Sequence, residues 1–291
     1  MSYTFVVVKI NCLSPMYTLN CKGKLLLLDK PLVMGIINAT PDSFYEGHLN
    51  KGIDGIIALA DKMIAEGVDI LDIGGQSTRP GSERITEEKE LNRVLPVIEK
   101  IHSKYPATII SIDTYYSKVA EQSVAAGASI VNDISGGSMD KNIITTVASL
   151  KVPYICTHIN GLPDTMQKNP TYNDVVKDVL DYFIAKVDEC KKAGITDIII
   201  DPGFGFGKTF THNFQLLKKL HVFLILEKPI LAGISRKSTI YKTLGITANE
   251  ALNGTTVLNT IALINGASIL RVHDVKEAKE AIQLFTAYKN A

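Results

Sequence analysis

The run Leu32-Val33-Met34-Gly35-Ile36-Ile37 is followed, after a segment of helical period over about 53–66, by a second apolar run, Ile70-Leu71-Asp72-Ile73. The same alternation repeats to the carboxyl terminus, with further runs at Thr108–Ile112, Ser129–Val131, Val152–Cys156, Asp197–Ile200, Pro229–Ala232 and Ser268–Leu270, eight in all. Between and after them the apolar period predicts helices at about 87–104, 116–126, 140–149, 172–193, 212–219, 249–265 and 275–288, with Gly67, Gly127 and Gly194 placed as left-handed C-caps. The runs are rich in Ile, Leu and Val without clean alternation, as strands covered on both faces require. Eight such βα units predict an α/β fold, a closed (β/α)8 TIM barrel, ahead of an open doubly wound sheet. Residues 4–28 precede the first barrel strand and read as a hairpin closing the bottom of the barrel. A single domain over 1–291 is expected, with residues 1–30 as an N-terminal extension.

A length of 291 residues with 46% hydrophobic content is enough for one substantial core. Thirty-one basic residues against thirty acidic ones leave a net charge of +1, which gives no overall field for nucleic acid or an anionic membrane and points to a small-molecule partner. Cys12, Cys21, Cys156 and Cys190 lack the spacing of a disulfide framework or a zinc site and read as free thiols. The apolar run Phe5 to Val8 is interrupted by Lys9 and Asn11, short of a signal-peptide core, and no stretch has the length of a membrane span. A cytoplasmic protein is the expectation.

Nearly every predicted strand delivers polar groups at its carboxyl end. In order these are Asn38, Gln76-Ser77-Thr78-Arg79, Asp113-Thr114, Asn132-Asp133, His158, Asp201, Ser235-Arg236-Lys237-Ser238, and Arg271 with His273. Any one of them alone reads as a helix N-cap or a turn residue. Together, on eight strands of one barrel, they meet in the ring where active sites of this fold sit. Carboxylates with an Asn and a Lys suit a flat, nitrogen-rich heterocycle, because a carboxylate accepts two N–H bonds from an amidine-like edge. Arg271, His273 and Asn38 suit a polyanionic phosphate at the other end of the pocket. The run Asp201-Pro202-Gly203-Phe204-Gly205-Phe206-Gly207-Lys208-Thr209 fails the P-loop pattern because Pro202 stands where a glycine is needed. It reads instead as a loop whose glycines bring backbone close to a ligand while Phe206 packs on it. Ser77-Thr78-Arg79-Pro80-Gly81 reads as a turn or a mobile lid.

From about residue 22 onward these stretches resemble the dihydropteroate synthase family of pterin-binding barrels. The matching pieces are Met34–Asn38 running into Thr40–Phe44, Asp72–Gly75 with Ser77–Gly81, Ile112–Thr114, Asn132–Ile134, Asp201–Lys208, Ser235–Ser238 and Arg271–Asp274. The resemblance implies condensation of a dihydropterin pyrophosphate with 4-aminobenzoate in folate synthesis, by a homodimer. It implies that Asp113, Asp201, Lys237 and Arg271 carry the catalysis. The pterin would be held by Asp113, Asn132, Asp201 and Lys237, the pyrophosphate by Asn38, Arg271 and His273, and Gly233 would also belong to the substrate site. Magnesium would bridge the pyrophosphate with Asn38 as protein ligand, Glu46 acting through water. The aminobenzoate would lie near Phe44, Thr78, Arg79, Pro80, Phe206 and Lys237, its carboxylate on Ser238 at a helix N-terminus. The chain departs from the family pattern at Gln76, where Glu is common and whose neutrality leaves the second loop's anchoring open, at Thr157, where Met is common, and at Glu46, where Asp is common. A related barrel of corrinoid-dependent methyl transfer, a non-catalytic binding protein and a Schiff-base lyase using Lys237 are the competing readings.

Overall fold

The computed structural model describes residues 16–40, 52–76, 84–161, 166 and 170–291. Two antiparallel strands, β1 (Tyr17–Cys21) and β2 (Lys24–Leu28), form a hairpin. The barrel strands are β3 (Leu32–Asn38), β4 (Ile70–Gly74), β5 (Ile109–Asp113), β6 (Ile130–Asp133), β7 (Tyr154–Thr157), β8 (Ile198–Asp201), β9 (Leu231–Ala232) and β10 (Ile269–Val272). The helices are α1 (Gly52–Ala65), α2 (Glu87–Lys104), α3 (Ser117–Ala126), α4 (Ile143–Leu150), α5 (Val175–Ala193), α6 (Phe210–Lys218), α7 (Ser238–Leu244), α8 (Leu252–Ile264) and α9 (Val275–Asn290). The barrel strands are parallel and pair in the order β8-β7-β6-β5-β4-β3-β10-β9. A parallel bridge between Ile200 and Ile230, with the Ile200 N–H donating to Pro229 O at 3.0 Å, joins the two ends of that row. The fold is the expected (β/α)8 barrel with an N-terminal hairpin.

Local chemistry explains where the elements start and stop. Thr86 caps α2, its hydroxyl accepting from Lys89 N–H, and Glu87 and Glu88 in the first turn face the positive end of the helix dipole. Asp174 caps α5 by accepting from Val176 and Lys177, and Gly194 ends that helix with φ of 99°. Gly67 and Gly127 also take positive φ just beyond α1 and α3.

The structure departs from the sequence reading in three ways. Most barrel strands run one or two residues beyond their apolar runs, so that Asn38, Asp113, Asn132, Asp201 and Arg271 belong to the strands themselves. Backbone ladders hold these polar positions, which fixes them better than loop positions would be. The strand expected from Pro229 contracts to Leu231–Ala232, since Pro229 has no N–H to give to a ladder. One element was not expected: Leu220–Leu226 winds into 3-10 turns, while Ser238–Leu244 forms the short helix α7, whose N-terminus the resemblance placed at Ser238.

Two apolar clusters stabilise the barrel. The larger lies between strands and helices. The smaller fills the lower barrel interior with Met34, Ile70, Ile109, Ile130, Ile155, Ile199, Leu231 and Ile269, and the hairpin covers it from below with Leu19, Cys21 and Leu28. Each such side chain contributes about 1.5–3 kcal/mol by leaving water. The hairpin is tied down by Asn20 N–H donating to Asp197 Oδ2 at 2.7 Å and Lys22 Nζ donating to Val124 O at 2.7 Å.

Candidate active site

Side chains two apart on a strand share a face, so the position two residues above each aliphatic interior residue also points inward. Along the strands the pairs are Ile70 and Asp72, Ile130 and Asn132, Ile155 and Thr157, Ile199 and Asp201, Leu231 and Gly233, and Ile269 and Arg271. On β5 the series runs Ile109, Ser111, Asp113. The interior thus changes from aliphatic to polar within one step on six of the eight strands. Register places the polar residues side by side, with Asp113 paired to Asn132 and Thr157 to Asp201.

An ion-pair cluster occupies the centre. Arg271 donates from Nε to Asp72 Oδ2 and from Nη2 to Asp113 Oδ2, each at 2.6 Å. Asn132 Nδ2 donates to the same Asp72 oxygen at 3.1 Å. Burial pushes the Asp113 carboxyl up, Asp72, Asp133 and Asp201 push the same way, and Arg271 opposes them. Asp201 is also pushed up, chiefly by burial, although Lys237 and the Gly203 N–H, donating to Oδ1 at 2.8 Å, favour its anion. Lys237 donates to Phe204 O and lies over the Phe206 ring at 4.7 Å from its centroid. Burial lowers its ammonium to about 8, with Asp201 and Asp113 resisting and Arg271 assisting. Asp113, Asn132 and Asp201 are buried, whereas Asn38 and His273 are exposed at the rim. His273 Nδ1 lies 3.0 Å from Ser235 Oγ. Gly233 leaves room: a Cβ there would come no nearer than 3.9 Å to any neighbour, Arg271 among them.

The glycine-rich loop is braced from beneath. Lys208, 2% exposed, directs Nζ at His158 Nδ1 (2.9 Å) and donates to the carbonyls of Gly203 and Phe206 (both 3.0 Å) and His158 (3.2 Å). Asn213 Oδ1 accepts from Gly205 N–H at 2.8 Å, while its Nδ2 donates to Thr239 Oγ1 and Thr209 O. Gly203 is obligatory, since its φ is 68° and a Cβ would lie 2.0 Å from His158 O.

Three polar residues of the predicted ring point elsewhere. Asp133 follows the inward Asn132 and so faces outward, where it accepts from Ser135 N–H and Oγ, Gly137 N–H and Tyr154 Oη. His158 sits under the glycine-rich loop against Tyr182 and Lys208, and burial with the nearby ammonium lowers its imidazole to about 3. Arg236 is committed to Asp274 through two bonds of 2.8 Å and to the carbonyls of Ala248 and Asn249. Ser238 opens α7 as expected. Phe44, Glu46, Thr78, Arg79 and Pro80 lie outside the described residues. The neutral Gln76 accepts from Ile85 N–H through Oε1 at 2.9 Å.

Sequence reasoning missed Asp72, Lys208, Asn213 and Glu90. Asp72 lies between Leu71 and Ile73 in a strand-like run and was legible only as the inward step above Ile70. Glu90 of α2 is fully buried, and burial raises its carboxyl to about 8. Gly75 packs directly on it, for a Cβ at Gly75 would meet Glu90 Cγ at 3.0 Å. Among the described residues no group of three or more His, Cys, Asp or Glu side chains is arranged to hold a metal, and no helix is long and apolar enough to cross a membrane.

The family model described as pterin binding enzyme matches residues 34–273. The dihydropteroate synthase of Escherichia coli (strain K12) is 41% identical over 272 residues, which cover 93% of this chain and 96% of that protein. That of Haemophilus influenzae is 39% identical over 275 residues, covering 94% and 99%. Among solved structures, Xanthomonas albilineans dihydropteroate synthase with 4-aminobenzoic acid superposes with a TM-score of 0.88 at 38% identity, covering 96% of this chain and 99% of that one. The same enzyme in complex with 7,8-dihydropteroate gives 0.85 at 36% identity, covering 94% and 100%. The chain belongs to the pterin binding enzyme family. Within that family it falls among the dihydropteroate synthases, and the methyl-transfer alternative is not favoured.

Proposed function

We infer that this chain condenses 6-hydroxymethyl-7,8-dihydropterin pyrophosphate with 4-aminobenzoate, giving 7,8-dihydropteroate and pyrophosphate. The observation that carries this reading is the interleaving of Asp72, Asp113 and Asp201 with Arg271 and Lys237 in the upper barrel, opening toward exposed Asn38 and His273. The solved relatives with 4-aminobenzoic acid and with 7,8-dihydropteroate support it.

In this reading the buried end receives the pterin. Asp113 and Asp201 accept its N–H groups, Asn132 and Lys237 complete the polar edge, and Gly233 leaves space for the ring. Arg271, His273 and Asn38 take the pyrophosphate at the rim. The bond between the pterin methylene and the pyrophosphate oxygen breaks, and its electron pair leaves with that oxygen. The carboxylates stabilise the electron-poor pterin, and Arg271 stabilises the leaving anion. The aniline nitrogen then bonds to the methylene and loses a proton. Phe206 and Lys237, with Phe44, Thr78, Arg79 and Pro80, would align the aminobenzoate, and Ser238 its carboxylate.

Magnesium fits the rim. Asn38 presents an amide, whose oxygen is a hard donor, and a Mg2+ ion that keeps its waters and takes phosphate oxygens needs few protein ligands. When bound, it would supply Lewis acidity to the departing pyrophosphate. A homodimer belongs to the same proposal, supported by the exposed apolar stripe Val257, Ile261 and Ile264 on α8 beside Leu284 and Tyr288 on α9. So do a single domain over 1–291 and a cytoplasmic location, the latter supported by free thiols at Cys21, Cys156 and Cys190.

The test is pyrophosphate release on mixing the protein with the pterin pyrophosphate, magnesium and 4-aminobenzoate, each omitted in turn. Release that depends on aminobenzoate, with dihydropteroate formed in equal amount, is expected. Pterin binding without turnover would sink the reading.

A further inference from the structure

We propose that Asp72 is a positioning residue which anchors Arg271 by one end, so that the other end exchanges Asp113 for the pyrophosphate of the incoming substrate. The proposal rests on the function inferred above. Asp72 Oδ2 accepts from both Arg271 Nε and Asn132 Nδ2, so one buried oxygen orients a residue from each side of the pocket. Arg271 Nη2 meanwhile holds Asp113 Oδ2. A pterin edge that donates an N–H bond to each oxygen of Asp113 shares Oδ2 with Arg271 Nη2, so the two donors compete for that oxygen. That competition favours transfer of Nη2 to the pyrophosphate, for which the guanidinium is a bidentate donor. If both ends of the guanidinium were released, it would regain its side-chain entropy and no longer be aimed. The bond from Nε to Asp72 prevents that.

Asp72 is poorly explained as a feature of the fold. It is fully buried, its Oδ1 has no hydrogen-bond partner, and it stands directly above the aliphatic Ile70. A half-satisfied buried carboxylate is costly, and replacing a buried ion pair as a whole by apolar residues of similar volume is often neutral or stabilising. The same bond also turns the Asn132 amide nitrogen toward Asp72, which leaves the Asn132 oxygen to accept from a ligand.

The experiment is calorimetric titration of the full chain and its Asp72→Asn variant with two ligands, 6-hydroxymethylpterin and its pyrophosphate ester with magnesium. The variant should bind the unphosphorylated pterin within about twofold of the parent and lose about tenfold or more for the ester, as expected for one charge-assisted hydrogen bond. In turnover, kcat should fall while the KM for aminobenzoate stays near its parental value. Arg271→Lys keeps the charge but cannot span Asp72 and Asp113, and it should show the same selective loss even if Asp72→Asn fails to fold. Equal losses for both ligands would mean a merely structural role and overturn the proposal, as would undiminished ester binding in either variant. A parent chain that binds neither pterin would instead overturn the function on which the proposal rests.

Discussion

The two halves of the barrel interior are built on the same strands and the same alternation, yet they obey opposite rules. Below, Met34, Ile70, Ile109, Ile130, Ile155, Ile199, Leu231 and Ile269 form a dry layer closed by Leu19, Cys21 and Leu28 of the hairpin. Above, two residues further along, buried polar atoms such as Asp72 Oδ1, Ser111 Oγ and Thr157 Oγ1 have no hydrogen-bond partner. The lower layer gains free energy from burial, and the upper layer gives some of it up to hold unsatisfied polar groups ready for a ligand. Stability and chemistry are thus separated by one step of the β-pleat, and substitutions in the two layers should fail in different ways.

The largest effect expected is on turnover. Lys237→Ala removes the ammonium that faces Asp201 and the Phe206 ring, and kcat/KM should drop about a hundredfold while thermal melting shows a folded chain. Near-parental turnover would remove Lys237 from the site. The same group sets a pH dependence: below about 8 it is a cation, above it the proton is lost, so activity should decline as pH rises through that value. Lys237→Arg, which cannot deprotonate in this range, should shift the alkaline limb upward in a pH–rate profile.

In the lower layer Ile155→Ala should do the reverse. It leaves a void in a layer where Ile155 is 0% exposed, costing about 3 kcal/mol and lowering Tm by several degrees. Its kcat per folded molecule should match the parent. A specific loss of kcat would show that the two layers are mechanically coupled.

Much of this contrast was legible in the sequence. Eight apolar runs with polar ends identify the barrel and its active rim because a two-sided strand cannot hide a charge except where the strand runs out. The direction of each polar side chain was harder to read. Asn132 and Asp133 are adjacent and both polar, and only strand parity sends one into the pocket and the other into a hydrogen-bonded turn. Asp72 read as part of a core strand, although the step from Ile70 marks it as inward. Arg236 stands next to Lys237 in the sequence, yet nothing local shows that it is committed to Asp274 and two carbonyls. Lys208 lies within the glycine-rich run, but nothing local in the sequence reveals that it braces that run against His158.

The smallest effect tests whether the polar side of the contrast extends beyond the barrel wall to Glu90. Its carboxyl is raised chiefly by burial, with Asp113 and Glu87 adding to the shift and the nearby Thr114 and the charge of Arg93 opposing it. With a folded pKa of about 8 against an ordinary 4.5, the group is protonated in the native chain at neutral pH and ionised in the unfolded one. Its contribution to stability is therefore fully present below about 4.5 and is lost as pH rises through about 8. Glu90→Gln keeps the shape without the ionisation. In urea unfolding the variant should match the parent near the acid end of that window and exceed it by about 2 kcal/mol near the alkaline end. A difference that does not grow with pH would mean that Glu90 is ionised in the fold, and the wall beneath Gly75 would then carry a charge facing Asp113 rather than a neutral acid.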